Sequence, residues 1–574
     1  MEFVVPQLAS DYNRHEQAPA FSTDLQRLPY PRVDCGMSHT AATMAAKSRG
    51  SVQHMNRRNV LVAVLVWVLL TSGNASANSG PIEDVRVSPP RTPAGVRSPF
   101  TGLLAAPVGD AFFNPPIPLP GVPGDVIWAS KSPTPCQDLY GAPGGFCTAR
   151  LPVVRPSNRT AEIWRIMFHS LDRAGRSRAV SAIVVADPPT AASASILVTQ
   201  HGSYGLGDQC GVIDSQLGGG LAGVGNAAEN YLNEGWVIIA PSAPGSRSPG
   251  VQTSLISGDS SRSILDAAWA AHVFTGAKLE AVVHGHSIGG MMVTAVGGEA
   301  TTYAPQLKVR GVIANAPAGL SGPTAPIFDP TRGLLSGKPG DSLGAKAKTA
   351  ALALAAAYEQ AYSPNFKSSD YLTPLGLRTW QSIKDFCVGQ AESSVKYIPW
   401  NKLFRKTLPT LDTGTIQRLS DVPTMIIIAN RDEYADPLHV YHAYQTLCAA
   451  GQPTYLTTMD VDHISTLKVL GWSDTTGLKT WIKTVAGGSV PAGSCAPMNP
   501  SLTSWQKYTF TQVARALNIG VPNKSTISVA ASGSCRIMRQ LINVSPGGSC
   551  ILDVKVMQGK RTLQTKSQTF STVG

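Results

Sequence analysis

Leu279-Glu-Ala-Val-Val-His-Gly-His-Ser-Ile-Gly-Gly-Met-Met-Val293 decides how the rest of the chain is read. An apolar run enters Gly285-His-Ser-Ile-Gly289 and leaves into small and apolar residues, the pattern of a strand that turns sharply into a helix. Such an elbow exposes Ser287 at its tip, and the flanking glycines leave room where a side chain would strike the neighbouring backbone. Gly340-Asp-Ser-Leu-Gly344 has the same spacing, but Pro339 precedes it and no strand leads in, so a loop is expected there.

A serine hydroxyl needs an imidazole to accept its proton and a carboxylate to hold that imidazole. In a strand–elbow–helix context the order along the chain is Ser, acid, His. The apolar run Met425 to Ala429 leads into Asn430-Arg-Asp-Glu-Tyr-Ala-Asp436, which makes Asp432 the candidate acid and Asp436 the alternative. Asp460-Val-Asp-His463 then supplies His463 beyond the next strand. His439 and His442 belong to the helix between them and read as packed or solvated helix residues, whereas His284 and His286 lack a third ligand and are expected to be structural, not to hold metal. No cofactor is called for. Negative charge developing on a substrate carbonyl requires two preset N–H donors. Ile288 offers one, and Gly202 and Ser203, after the strand Ser195 to Thr199, are candidates for the other.

The surrounding pattern is that of an α/β sheet. Glu162–Phe168 and Val180–Val185 read as an entry hairpin, and Gly235–Pro241, Val309–Asn315, Pro423–Ala429 and Pro453–Thr457 read as buried strands. Helices are expected over 226–234, 263–274, 437–449 and 478–485. Residues 317–420 contain no strand pattern, only helical stretches near 345–362 and 379–392, and an insertion there would lie over the strand ends as a cap.

At this point the residues resemble the secretory lipase group of α/β-hydrolases, which includes capped acid-stable fungal lipases and actinobacterial exported enzymes. The resemblance covers about residues 125–495 and rests on the entry hairpin, Gly235–Pro241, Gly285–Gly289, Arg431-Asp-Glu433 and His463. It implies an α/β-hydrolase fold with a helical cap or lid, Ser287, Asp432 and His463 as the triad, and disulfides Cys210–Cys387 and Cys448–Cys495. Ala435-Asp436-Pro437 departs from the Val-Pro usual after the acid, and Ser242 stands where relatives usually carry Asp.

The ends of the chain differ in kind. Residues 1–54 are polar and aperiodic and read as a leader or a mis-assigned start. Residues 55–77 combine Met55-Asn-Arg-Arg-Asn59, an apolar core from Val60 to Leu70 and Ala75-Ser-Ala77, the layout of a secretory signal peptide. A Pro/Gly-rich segment, 78–125, precedes the hydrolase domain at 126–495. Beyond it, 501–574 alternate polar and apolar residues between turns, which points to a small all-β, Ig-like module. This module carries nine Lys and Arg against Asp553 alone, so a net +8 of the chain's +12 sits there.

Among the nine cysteines, Cys35 lies in the leader, and the other eight (Cys136, Cys147, Cys210, Cys387, Cys448, Cys495, Cys535, Cys550) suit disulfides in an exported protein. Cys136 and Cys147 bracket a Gly-rich loop, and Cys535 and Cys550 close a loop within the tail.

Together these observations point to a secreted or cell-envelope serine hydrolase of carboxylic esters with a lipid-like or other acyl ester as partner. A peptidase, a cutinase-like polyester hydrolase and a non-catalytic envelope-binding protein are the alternatives. The basic tail fits an anionic envelope or membrane surface. It lacks the interleaved aromatics that stack nucleic-acid bases, so nucleic acid is not expected. Oligomeric state is not encoded in any of these patterns.

Overall fold

A computed structural model describes residues 103–131, 162–187, 191–210, 227–318, 342–471, 477–496 and 501–573, apart from 228–229, 407, 410, 412–419, 433, 436 and scattered positions between 504 and 546. The leader, the signal peptide, Cys136, Cys147 and Asp436 lie outside the described residues.

The centre is a nine-stranded sheet in the order β1-β2-β3-β5-β4-β6-β7-β8-β9. Its strands are β1 (Val126–Lys131), β2 (Glu162–Leu171), β3 (Ser177–Ala186), β4 (Ser195–Gln200), β5 (Trp236–Pro241), β6 (Glu280–His286), β7 (Lys308–Asn315), β8 (Thr424–Ala429) and β9 (Thr454–Met459). β1, β2 and β3 pair antiparallel, β3 joins β5 antiparallel, and every later pairing is parallel. The parallel strands are apolar along their length because helices cover both faces. Ala281 and Val283 of β6 face one layer and Val282 the other; Ile426 and Ile428 of β8 divide from Ile427 in the same way.

The first layer holds α1 (Ser257–Thr275), α2 (Ile288–Val293) and α3 (Val296–Tyr303). α1 begins six residues before the expected Ser263. Its first turns are polar yet buried: Asp259 Oδ1 accepts the Arg173 N–H at 2.8 Å, and Arg262 pairs with Glu299 at 2.8 Å. Partners elsewhere in the chain replace the apolar periodicity that marks an amphipathic helix start.

Between β7 and β8 the described cap consists of α4 (Ser342–Tyr362), α5 (Pro374–Ile383), α6 (Val388–Val395) and α7 (Trp400–Leu403). Ser342, expected in a loop, is the first residue of α4. The helical run expected over 379–392 is two helices. α5 starts early because Thr373 Oγ1 caps the Gly376 N–H at 3.0 Å and Pro374 opens the first turn. It stops before Cys387 because the chain there bonds to another part of the molecule, described below. α8 (Pro437–Ala449) follows β8, and α9 (Leu478–Ala486) closes the second layer.

Of the Pro/Gly-rich segment, 103–125 lies against the domain: Phe112 and Phe113 are buried, Trp128 Nε1 donates to the Phe112 carbonyl at 3.1 Å, and Arg165 covers the Phe112 ring. The tail forms a four-stranded sheet and a three-stranded sheet sharing one core of Tyr508, Ile542, Leu552, Val554, Val556 and Phe570. Four of its strands, Ser501–Thr503, Lys507–Thr509, Cys535–Met538 and Leu541–Val544, are too short to announce themselves by alternation. Leu438 of α8 joins the same core. Among the described residues, no helix is long and apolar enough to cross a membrane.

Candidate active site

β6 and α2 form the elbow. Ser287 adopts φ 58° and ψ −122°, a region costing a non-glycine residue on the order of 1–3 kcal/mol. Hydrogen bonds hold it there: the Ser287 N–H donates to Asn315 O at 3.0 Å, and the Ser287 carbonyl accepts from Ala318 and Met291 at 3.0 and 3.1 Å. A Cβ on Gly285 would stand 2.1 Å from Gly289 O, and one on Gly289 would stand 2.5 Å from both Gln200 O and His201 O. Backbone packs on backbone on both sides of the serine.

Asp432 and His463 arrive from the ends of β8 and β9. His463 Nε2 lies 2.8 Å from Ser287 Oγ, and His463 Nδ1 lies 2.7 Å from Asp432 Oδ2. Asp432 and His463 are buried while Ser287 is half-exposed. The second carboxylate oxygen of Asp432 accepts the Tyr434 and Ala435 N–H groups at 2.8 and 2.6 Å. That fixes which oxygen faces the imidazole. Of the neighbouring acids, Asp460 pairs with Arg431 at the surface and Asp462 caps the Ser465 turn, so neither competes for His463.

A family model described as alpha/beta hydrolase family matches residues 220–467, a stretch that contains all three of these side chains. The chain has the α/β-hydrolase fold. The sheet order, the elbow and the family match agree on this. No curated protein matches the chain. Among solved structures, Candida antarctica lipase A aligns at 16% identity with a TM-score of 0.48, over 67% of this chain and 86% of its own. A hydrolase from Legionella pneumophila aligns at 12% identity and 0.44, over 60% and 96%. The rice cell wall degrading esterase from Xanthomonas oryzae aligns at 12% and 0.42, over 64% and 97%.

The β4 loop runs beside the elbow. A Cβ on Gly202 would lie 3.0 Å from Ser287 Cβ, so the loop approaches the serine as closely as a glycine permits. Ser203 is exposed beside it, and Ile288 supplies the first N–H of α2, which has no partner within its own helix. The loop is fastened to the cap. Tyr204 O accepts the Val388 N–H at 2.9 Å, Phe386 O accepts the Leu206 N–H at 2.9 Å, and Cys210 is disulfide-bonded to Cys387. Cys448–Cys495 and Cys535–Cys550 are formed as well.

Beside Ser287, Asp432 and His463 lies a polar layer that no motif announces. His286 Nε2 donates to the His463 carbonyl at 3.0 Å, and Thr466 Oγ1 donates to the same oxygen at 2.7 Å. Asn315 Nδ2 donates to Thr466 O at 2.8 Å and lies 3.5 Å from His284 Nε2; Thr199 Oγ1 meets His284 Nδ1 at 3.2 Å. His284 and His286 are therefore spent on hydrogen bonds. Burial pulls His284 down to about 3, and burial together with the nearby His463 holds His286 well below its ordinary value. Among the described residues no cluster of His, Cys, Asp or Glu could hold a metal ion. In α8, His442 is half-buried.

Proposed function

We propose that this α/β-hydrolase is an exported serine carboxylester hydrolase of the lipase or esterase type, with Ser287 as nucleophile, His463 as general base and acid, and Asp432 as its orienting acid. The observation that carries the proposal is the unbroken row Ser287 Oγ–His463 Nε2–His463 Nδ1–Asp432 Oδ2, at 2.8 and 2.7 Å, on a strained elbow.

In the proposed reaction, Ser287 Oγ attacks the ester carbonyl carbon and its proton passes to His463 Nε2. Asp432 stabilises the imidazolium that results without itself taking the proton. The carbonyl oxygen becomes an oxyanion, received by the Ile288 N–H and by the N–H of Gly202 or Ser203 in the β4 loop. Collapse expels the alcohol, which takes the proton from His463, and leaves an acyl-enzyme at Ser287. Water, deprotonated by His463, then attacks the acyl carbonyl; the acid departs and the serine recovers its proton. The acyl group enters beneath the cap, whose core is Leu352, Ala355, Leu372, Ile383 and Leu403.

Export is supported by the signal-peptide pattern at 55–77 and by three disulfides among the described residues. The test is hydrolysis of p-nitrophenyl esters by the full chain beside Ser287→Ala. Loss of turnover in the variant is expected; equal rates, or no ester cleaved by the parent, would refute the proposal and favour an envelope-binding protein. The tail's net +8 further supports attachment to an anionic surface. Lys555→Glu with Arg561→Glu should then weaken salt-sensitive retention on anionic vesicles and leave turnover intact.

A further inference from the structure

α4 brings an unexpected charge to the catalytic row. Lys346, half-buried near the start of that helix, holds its Nζ 3.0 Å from the centroid of the Tyr434 ring. Tyr434 in turn meets the His463 ring edge-on at 5.0 Å between centroids, and its main chain is pinned by Asp432. Ammonium, phenol ring, imidazole and serine hydroxyl therefore follow one another in series, so Lys346 stands within a few atoms' reach of anything bound at Ser287.

The cation is poorly matched to the place it occupies. Its helix neighbours inside the cap are Ala345, Ala351, Leu352 and Ala355, all buried and apolar. Among the described residues its ammonium forms no salt bridge; its one close partner is the π face of Tyr434. Glu392 of α6 acts on it only at longer range, and burial raises the Glu392 carboxyl more than Lys346 lowers it. An ammonium partly removed from water loses hydration that an aromatic face only partly replaces. The N-terminal end of α4 adds partial positive charge on the same side. A roof built solely to cover a hydrocarbon chain has no use for this arrangement, whereas an anion arriving with the substrate would satisfy it.

Resting on the ester-hydrolase reading above, we infer that Lys346 is a specificity-determining residue that selects esters bearing a negatively charged group, carboxylate or phosphate, several atoms from the scissile carbonyl. The anion replaces the Tyr434 ring as the ammonium's partner. Glu392 opposes it and tunes the preference downward.

The test compares kcat/KM of the full chain on charged and neutral esters of matched length. On the acyl side the pair is p-nitrophenyl hydrogen suberate against p-nitrophenyl octanoate; on the alcohol side it is octanoyl glycerol 3-phosphate against monooctanoyl glycerol. Lys346→Met should lower the charged-to-neutral ratio about tenfold, the scale of one hydrogen bond to a charged group, while leaving the neutral ester unchanged. Lys346→Arg should keep the ratio, and Glu392→Gln should raise it. A fall in the first pair alone assigns the anion to the acyl group, and a fall in the second alone assigns it to the alcohol. The inference is overturned if the ratio does not move in either pair, if charged and neutral esters decline together, or if the parent enzyme cleaves neither charged ester. Absence of turnover on the neutral esters would instead refute the hydrolase proposal itself, so the two failures are distinguishable.

Discussion

Gly289→Ala probes the elbow at its tightest point. The added Cβ would lie 2.5 Å from the carbonyl oxygens of Gln200 and His201, where ordinary contact begins at 3.4 Å. Both obstacles are main-chain atoms at the end of β4, so no side chain can swing aside. The start of α2 must back away by roughly 1 Å, and a misplacement of that size costs about 100-fold in rate. The loss corresponds to about 2.7 kcal/mol of transition-state stabilisation. Overpacking adds about 1–3 kcal/mol of lost fold stability. Because Ile288 and the β4 loop move apart together, the penalty should fall on kcat, with KM little changed. Steady-state hydrolysis of p-nitrophenyl butyrate, with thermal unfolding of the same sample, measures both. Gly389→Ala is the control, since nothing lies within 4 Å of its added Cβ. A folded Gly289→Ala enzyme with kcat within about threefold of the parent would refute the reasoning from backbone contact to rate.

Three further outcomes are expected. Asp432→Asn should lower kcat by about 10⁴-fold, because the two N–H groups on Oδ1 draw the amide oxygen to themselves and turn the amide NH₂ toward His463 Nδ1, imposing the wrong tautomer; a pH–rate profile would reveal any residual base. Cys210→Ser with Cys387→Ser opens a link between residues 177 apart, for which chain entropy sets a stability loss of at most about 5 kcal/mol, read from the urea midpoint, with kcat falling as the β4 loop loosens. His284 has a folded pKa of about 3 against 6.5 for the unfolded chain, so between those values the unfolded state holds a proton that the folded state refuses. Its share of the stability should therefore fall by about 1.4 kcal/mol per pH unit below 6.5, on top of the shares of His286 and His201, which burial also depresses, and His284→Gln should lessen the acid slope by that one share; an unchanged slope would contradict the assignment.

Much of the sheet could be read in advance because its strands are apolar runs bounded by Gly, Pro and turn residues: the expected Val309–Asn315, Pro423–Ala429 and Pro453–Thr457 differ from the observed strands by at most two residues at either end. Ser287, Asp432 and His463 were nameable from chain order, and the fold brings those three side chains into hydrogen-bond contact. What stayed hidden depends on long-range partners. The first turns of α1 are helical because Arg262 and Asp259 find partners in Glu299 and Arg173, and the α5–α6 break exists because Phe386 and Val388 bond to the β4 loop. His286, Thr466 and Asn315 support the His463 main chain, directly or through one another, and their sequence gives no periodic sign of it. Lys346 and Tyr434 meet across nearly ninety positions of chain, far beyond any spacing rule.

The ladder joining Tyr204 and Leu206 to Phe386 and Val388, locked by Cys210–Cys387, makes a stretch of the cap a structural member of the floor beside Ser287. At that point the cap is not a flap on a hinge. Shortening the α5–α6 turn, grafting in another enzyme's cap or randomising its sequence would pull on residues 204–210 and, through them, on Gly202 beside the serine. Under the proposed function, substrate range and turnover are therefore mechanically linked traits: a library aimed at one will sample the other, and a transplanted cap has to travel with its own β4 loop.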